Sequence, residues 1–304
     1  MTLVVEQILN GLQLSAMLFL LSAGLTLVFG IMGVINLAHG SLYMIGAYAS
    51  AWVGQRTGSF ALAALAGLGT AATIGMALEL TVLRRLYARD HVDQVLATFG
   101  LVLFFNQAVA LLFGRQPIFV AIPAGLAGTL TVPPGVPYPA YRLAIIATVV
   151  VVAVLLWLFI NHTRAGMLVR AGATSREMVR ALGVRIRALY TLVFGLGAGL
   201  AGLAGVLAGP VYSVQIGMGE QILISTFVVI VVGGIGSIRG AVLGALLVGI
   251  IDTALRSWVP GLLHHLMRGS DADALAAGLA SMGVYMLMAV VLLIRPRGLV
   301  PAHG

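Results

Sequence analysis

The sequence predicts an all-α, polytopic membrane protein, and three observations support this fold class. Hydrophobic residues make up 61% of the 304 residues and charged residues 9%, and the mean hydropathy is +1.09. Soluble domains carry a much larger share of charged residues. Apolar stretches also recur at about the 20-residue length that crosses a bilayer, and each should be a helix because lipid offers no partner to unpaired backbone groups.

Nine apolar stretches are candidates for the spans of a single transmembrane domain covering residues 1–304. The first pair is interrupted by glycine and the seventh stretch is short, so we predict eight or nine transmembrane helices, some of them discontinuous. The stretches are residues 9–31, 38–54, 60–83, 95–113, 142–160, 189–209, 222–235, 240–258 and 275–294.

The arginines predict the orientation of these spans. The chain has 17 arginines and no lysine, and a nine-span arrangement places twelve of the arginines on one side of the membrane and five on the other. Because arginine collects in cytoplasmic loops, we expect a multi-pass protein of the inner or plasma membrane with its N-terminus outside and its C-terminus inside. The N-terminal segment has Glu6 but no basic region of the kind a cleavable signal needs, so the first helix should be retained. Arginines gathered at helix ends do not indicate nucleic acid as a partner.

Two glycine-rich interruptions, GVINLAHGSL at 33–42 and GGIGSIRG at 233–240, divide the apolar stretches. Broken helices at membrane depth usually line a cavity, where their termini can contact a zwitterion. The alternative is a pair of tight cytoplasmic turns that use glycine for its conformational freedom. A lone histidine without other ligands at metal-binding spacing is expected to be a hydrogen-bonded structural residue, so no metal is predicted. The candidates for the translocation path are Asn36, His39, Gly40, Asn106, Gly233, Gly234 and Gly236.

A polar loop at about 161–187 separates the fifth and sixth stretches. It holds six of the arginines and one acid, Glu177. Thr174 and Glu177 have the spacing of a capping box, which predicts a helix of about two turns, and Gly183 is placed to end it in the left-handed conformation. Met178, Ala181 and Leu182 then share one helix face. Two interpretations stay open: the helix rests on lipid headgroups, or it docks into a partner protein.

The glycine-rich segment GLGAGLAGLAGVLAG at 195–209 predicts a face on which helix backbones approach closely. This face either packs inside the chain or forms the seam with a second membrane-spanning chain.

The energy source is constrained by the residues that are missing. The chain has no lysine, so it lacks the phosphate-contacting lysine of a Walker A loop, and ATP hydrolysis would need another polypeptide. An ion-coupled carrier generally needs carboxylates inside the membrane. Glu79 lies beside Arg84 and Asp252 precedes Arg256 by four residues, so both acids are expected to form ion pairs.

Glu177 and Gly183 also resemble the cytoplasmic loop motif of ABC importer permeases, in which a glutamate precedes a glycine by six positions. Met178 and Val179 depart from the two alanines that many of those permeases carry. Three further stretches resemble the branched-chain amino acid ABC transporter permease family of the LivH type, in matching order: GLTLVFGIMGVINLAHGSLYMIGAYAS at 24–50, LATFGLVLFFNQ at 96–107 and FVVIVVGGIGSIRGAVLGALLVGIID at 227–252.

The resemblance implies a permease subunit for branched-chain or other small neutral amino acids, with no catalytic site and no cofactor of its own. Its partners would be two cytoplasmic ATPase subunits that bind ATP and Mg²⁺, a second and related permease chain, and an extracytoplasmic substrate-binding protein. The short helix would then couple the permease to the ATPases. Arg176, Arg180 and Arg185 would pair with acids of the ATPase or, alternatively, anchor to anionic lipid. The coupling residues implied are Thr174, Arg176, Glu177, Met178, Arg180, Ala181, Leu182 and Gly183.

An alternative function is an ion-coupled secondary carrier or channel for small amino acids or amides that acts without ATPase subunits. The two differ in energy source, because only the importer needs ATP.

Overall fold

The computed structural model describes residues 2–34, 36–133, 135–266 and 270–300, and helices dominate this part of the chain. A π-helical turn, Glu79–Leu83, follows the third helix, and a 3₁₀ turn, Ala124–Leu126, precedes two short strands. The helices are α1 (Thr2–Met32), α2 (His39–Thr57), α3 (Phe60–Leu78), α4 (Arg84–Leu86), α5 (His91–Phe113), α6 (Ala140–His162), α7 (Arg164–Thr174), α8 (Arg176–Ala181), α9 (Ile186–Tyr212), α10 (Met218–Gly233), α11 (Ile238–Leu266) and α12 (Ser270–Ile294). The strands are β1 (Thr129–Val132) and β2 (Val136–Pro139).

The predicted fold class is confirmed. Each of the nine predicted stretches falls on a helix of the described residues. Seven helices are long and apolar enough to cross a membrane, and α10 is a shorter apolar helix. The remaining stretch, residues 38–54, falls on α2, which is 19 residues long and is not one of these seven. The apolar stretches therefore located the apolar helices correctly, and the count of eight or nine spans stays a prediction.

The described residues group into two compact units. One unit comprises residues 2–19, 122–150 and 225–300, and the other comprises residues 20–121 and 151–224, which we call the central unit. Helices α1, α6 and α10 each contribute to both. The single transmembrane domain stays a prediction.

Close backbone contacts build the central unit around α9. An added Cβ on Gly205 would overlap the carbonyl oxygen of Tyr43 in α2, and one on Gly202 would overlap Ala71 in α3. Gly46 of α2 in turn lies against the backbone of Gly202. The glycines of the 195–209 segment thus let α2 and α3 approach α9 to backbone contact, where dispersion attraction is strongest. Of the two roles left open for this glycine face, internal packing is the one observed.

The other unit holds the hairpin β1–β2, an antiparallel pair in the segment between α5 and α6 that hydropathy did not predict. Asn10 of α1 accepts hydrogen bonds from the Tyr138 hydroxyl of β2 and from the Arg142 guanidinium of α6. Gly249 of α11 lies against the backbone and hydroxyl of Ser15. Polar side chains and a glycine contact thus hold the first part of α1 in this unit.

Candidate functional site

The polar loop forms two consecutive helices, α7 and α8, and the first of them was not predicted. The predicted cap at Thr174 is wrong, because Thr174 is the last residue of α7 and its hydroxyl donates to the Arg170 carbonyl at 3.1 Å. Ser175 follows in an extended conformation, and its hydroxyl accepts a hydrogen bond from the Met178 amide at 3.4 Å. Because Thr174 belongs to α7, the N-cap of α8 is the next residue, Ser175. Glu177 then lies in the first turn of α8 with its side chain exposed, where its charge suits the helix dipole.

Gly183 ends α8 as predicted. Its φ is +80°, in the left-handed region that favours glycine, and its amide donates to the Arg180 carbonyl at 3.1 Å. Three residues later α9 begins at Ile186. The short helix therefore connects to the central helix of the unit through a tight turn.

The faces of α8 differ sharply in exposure. Val179 is 4% exposed and packs into the central unit, whereas Met178 is 63% exposed and Leu182 is 75% exposed. Ala181 is also exposed, so the predicted apolar face points away from the body of the unit. The side chains of Glu177 and Arg180 are exposed beside it, while the side chain of Arg176 lies outside the described residues.

A buried charge network lies where α9 begins. Glu79, fully buried in the π-helical turn, accepts hydrogen bonds from Arg84 at 3.1 Å, from Thr191 of α9 at 2.6 Å and from the Tyr87 hydroxyl at 2.9 Å. The predicted pairing of Glu79 with an arginine is confirmed. Burial of a carboxylate is tolerated here because one charged and two polar donors surround it. This network fixes the end of the α3 span to the first turns of α9.

The first glycine-rich interruption is a true break between α1 and α2. Asn36 and His39 are fully buried, and the Asn36 side-chain oxygen accepts from the Ala38 amide at 3.0 Å. The Nδ2 atom of Asn36 and the hydroxyl of Ser41 are buried without a hydrogen-bond partner in the described structure. Buried donors of this kind are costly and are usually satisfied by water or a ligand. The predicted path residues Asn36 and His39 therefore lie at a polar break within the central unit.

The level of this break follows from its contacts. A Cβ on Gly24 would lie 3.1 Å from the His39 ring and 2.6 Å from the Gly197 carbonyl. Gly24 lies well inside α1, and Gly197 lies near the middle of α9. The start of α2 is therefore level with the interiors of two long helices, which favours the discontinuous-helix interpretation over a surface turn.

The start of α10 lies beside the start of α2. Gly40 and Gly219 are in backbone contact, so that a Cβ on either would overlap the carbonyl oxygen of the other. The next residue, Glu220, accepts a hydrogen bond from the side-chain amide of Asn106 in α5. Two predicted path residues, Gly40 and Asn106, are thus linked through adjacent residues of α10. Glu220 was not among the candidates predicted from the sequence. Its position two residues before the seventh apolar stretch could have marked it as one.

The second glycine-rich interruption is a tight turn between α10 and α11 in the other unit. Gly234 and Gly236 have φ values of +113° and +81°, and Gly233 contacts Gly240 across the turn. The chain after α12 closes over it, where the Val300 amide donates to the Gly233 carbonyl at 2.9 Å. Turn geometry accounts for these three glycines, and their place on the translocation path stays a prediction.

Comparison with known proteins gives the family context of this geometry. The family model described as "Branched-chain amino acid transport system / permease component" matches residues 7–294. The high-affinity branched-chain amino acid transport system permease protein BraD of Pseudomonas aeruginosa is 30% identical over 97% of this chain and 94% of its own length. The corresponding permease protein LivH of Escherichia coli is 32% identical over 81% of this chain and 84% of its own length. The ribose import permease protein RbsC of Escherichia coli is 27% identical over 83% of this chain. None of the solved structures is a significant match.

Proposed function

Because the chain belongs to the family of branched-chain amino acid transport system permease components, we propose that it forms the translocation path of an ABC importer for branched-chain or other small neutral amino acids. It is a multi-pass membrane protein and a transporter subunit, not an enzyme. ATP and Mg²⁺ bind to partner subunits in this proposal, which agrees with the absence of lysine from the chain.

The observation that most supports coupling to an ATPase is the geometry of α8. The helix is capped at Ser175, ended at Gly183 and anchored by buried Val179, while Met178 and Leu182 project outward. A short helix fixed at both ends moves as a rigid body, so a displacement of the ATPase would be passed on rather than absorbed. Docking would also bury the apolar side chains of Met178 and Leu182 away from water, which is favourable.

The rest of the assembly follows from this role. We propose two cytoplasmic ATPase subunits, a second and related permease chain in the same bilayer, and an extracytoplasmic protein that delivers the substrate. The loop at 161–187 would lie on the cytoplasmic side, with the N-terminus outside and the C-terminus inside, as the arginine distribution indicates. The exposed guanidinium of Arg180 and that of Arg185 would pair with acids on the ATPase surface.

The ion-coupled alternative has less support. Asp252 of α11 forms an ion pair with Arg256 at 2.8 Å, and Glu79 is paired with Arg84. A carboxylate already neutralised by an arginine is poorly suited to bind a coupling proton or sodium ion. Neither of these two pairs therefore resembles a coupling site. Because Glu220 is held by Asn106 and not by an arginine, the energy source is the property that separates the two functions.

Reconstitution tests the proposal through its energy source. The purified permease chains, ATPase subunits and binding protein are placed in proteoliposomes, and uptake of radiolabelled leucine is measured. Concentrative uptake should require ATP on the ATPase side and should vanish when the ATPase subunits are left out. Concentrative uptake driven by a proton or sodium gradient alone, without ATPase subunits, would contradict the proposal and establish the secondary carrier.

A further inference from the structure

Glu220 differs from Glu79 and Asp252, two other acids of the apolar helices. Glu79 and Asp252 each pair with an arginine, whereas Glu220 is held by the neutral amide of Asn106. An amide donor orients a carboxylate without neutralising it. Ionisable residues inside membrane spans are costly and by default mark substrate or ion pathways. Glu220 therefore presents a negative charge that the amide leaves available to a cation.

Glu220 lies inside the central unit and is not level with the end of α9 at Tyr212. The adjacent residue, Gly219, contacts Gly40 at the start of α2. Tyr43, one turn further along α2, contacts Gly205 of α9, which lies about two turns before α9 ends at Tyr212. Measured along α9, the first turn of α10 is thus about two turns away from the end of that helix. With the N-terminus outside, this is the extracytoplasmic half of the protein, where substrate arrives.

Two further polar residues, Gln107 and Gln221, directly follow Asn106 and Glu220 in the chain. Gln107 of α5 and Gln221 of α10 are exposed, and Glu220 itself is partly exposed. Lipid cannot satisfy three such groups within apolar helices, whereas a water-filled path can. The Oδ1 atom of Asn106 is buried without a hydrogen-bond partner in the described residues, so it adds a second acceptor beside the Glu220 carboxylate. Two adjacent acceptors suit a group that donates several hydrogen bonds and carries positive charge.

We propose that the Glu220 carboxylate, positioned by Asn106, receives the α-ammonium group of the transported amino acid on the wall of the translocation path. This inference rests on the proposed function, because the cation is supplied by an amino acid substrate. The three N–H donors of an ammonium group match the carboxylate and the Asn106 oxygen. The carboxylate of the substrate would then point toward the N-termini of α2 and α10, where the helix dipoles favour negative charge.

The first test is leucine uptake by the complete importer in proteoliposomes at saturating binding protein. Glu220→Gln keeps the size and the hydrogen bond to Asn106 but removes the charge, so the maximal rate should fall about fivefold, the size expected for loss of one charge contact in a partly exposed, watery site. Glu220→Asp should retain most of the rate, and Asp252→Asn should act like the native chain. ATPase co-purification should be unchanged in every variant. A Glu220→Gln rate within about twofold of the native rate overturns the ammonium role, whereas a native importer that hydrolyses ATP without moving any amino acid overturns the proposed function.

The second test needs no substrate and uses the absence of cysteine from this chain. Gln221→Cys is introduced as the single cysteine, and its modification in the assembled importer is timed with cationic and anionic membrane-impermeant methanethiosulfonates. The cation-to-anion rate ratio should fall about fivefold when Glu220→Gln is added, as expected for loss of one nearby charge in a watery site. Leu65→Cys, at an apolar position of α3 that is 67% exposed, is the lipid-facing control and should not react. A Gln221→Cys chain as unreactive as Leu65→Cys would show that no water-filled path reaches this wall and would overturn the proposal.

Discussion

Truncation of Leu182 should weaken binding of the ATPase subunit without unfolding the permease. Leu182 lies at the end of α8 with 75% of its surface exposed, so it makes few contacts within its own chain. The variant Leu182→Ala therefore removes apolar surface that only a docked partner would cover. It also keeps the turn at Gly183, which depends on backbone conformation and not on the leucine side chain.

The magnitude follows from the area that docking can bury. Leu182→Ala deletes three carbons, each worth about 0.8 kcal/mol when fully buried, for a total of about 2.4 kcal/mol. Scaling this total by the exposed share of Leu182 leaves about 1.8 kcal/mol for docking, or about a twentyfold increase in Kd. Met178→Ala should have a smaller effect, because less of Met178 is exposed in the free permease.

The assay is a titration of purified ATPase subunit onto the permease in nanodiscs, with binding read by fluorescence or by surface plasmon resonance. Met167→Ala is the matched control, because Met167 is also exposed in the polar loop but belongs to α7 rather than to the face formed by Met178 and Leu182. Its Kd should equal that of the native chain. An unchanged Kd for Leu182→Ala, or an equal loss for Met167→Ala, would refute docking through this face and favour the lipid-resting interpretation.

Two predictions concern the packing of the central unit. Gly205→Ala places a Cβ on the carbonyl oxygen of Tyr43, so the free energy of unfolding, measured in detergent with a graded denaturant, should fall by about 1–3 kcal/mol. The control Gly199→Ala, whose Cβ would meet only ordinary contacts at 3.7 Å, should be neutral or stabilising. Equal stabilities of the two variants would contradict the contact. Glu79→Gln should lower the free energy of unfolding by about 1–2 kcal/mol in the same assay. This value lies between those for exposed and buried ion pairs, because Arg84 is 29% exposed. A variant as stable as the native chain would show that the charge of Glu79 is not needed.

The spans were predictable because each apolar stretch must be helical in lipid, whatever its neighbours are. The same logic does not apply to the polar loop, where α7 forms on the amphipathic pattern of RAGMLVRAGAT and carries no long apolar run. Missing α7 led directly to the wrong cap. A capping box can be recognised at Thr174 only if the chain before it is not already helical, and that condition is set by residues up to ten positions earlier.

The candidate site was predictable in part, for a related reason. Polar residues in the first break, Asn36 and His39, stand out in an apolar sequence, and Asn106 stands out inside its span. Glu220 did not stand out, because its depth depends on the contact of Gly219 with Gly40, two residues far apart in the chain. Sequence distance to an apolar stretch measures depth only when the helix starts at the membrane surface, and a contact between distant parts of the chain is not visible in that distance.

The central helix α9 offers a physical route between the two candidate sites of this unit. It begins just after α8, is fixed to the end of the α3 span through Thr191 and Glu79, and lies in backbone contact with α2 at Gly205. Backbone contacts without intervening side chains leave little slack, so a displacement of α9 must also move the start of α2. That start is in backbone contact with Gly219, beside Glu220. Glycine at these crossings therefore does more than allow close packing: it links the turn after α8 to the carboxylate that we assign to the substrate, through elements that have no room to move independently.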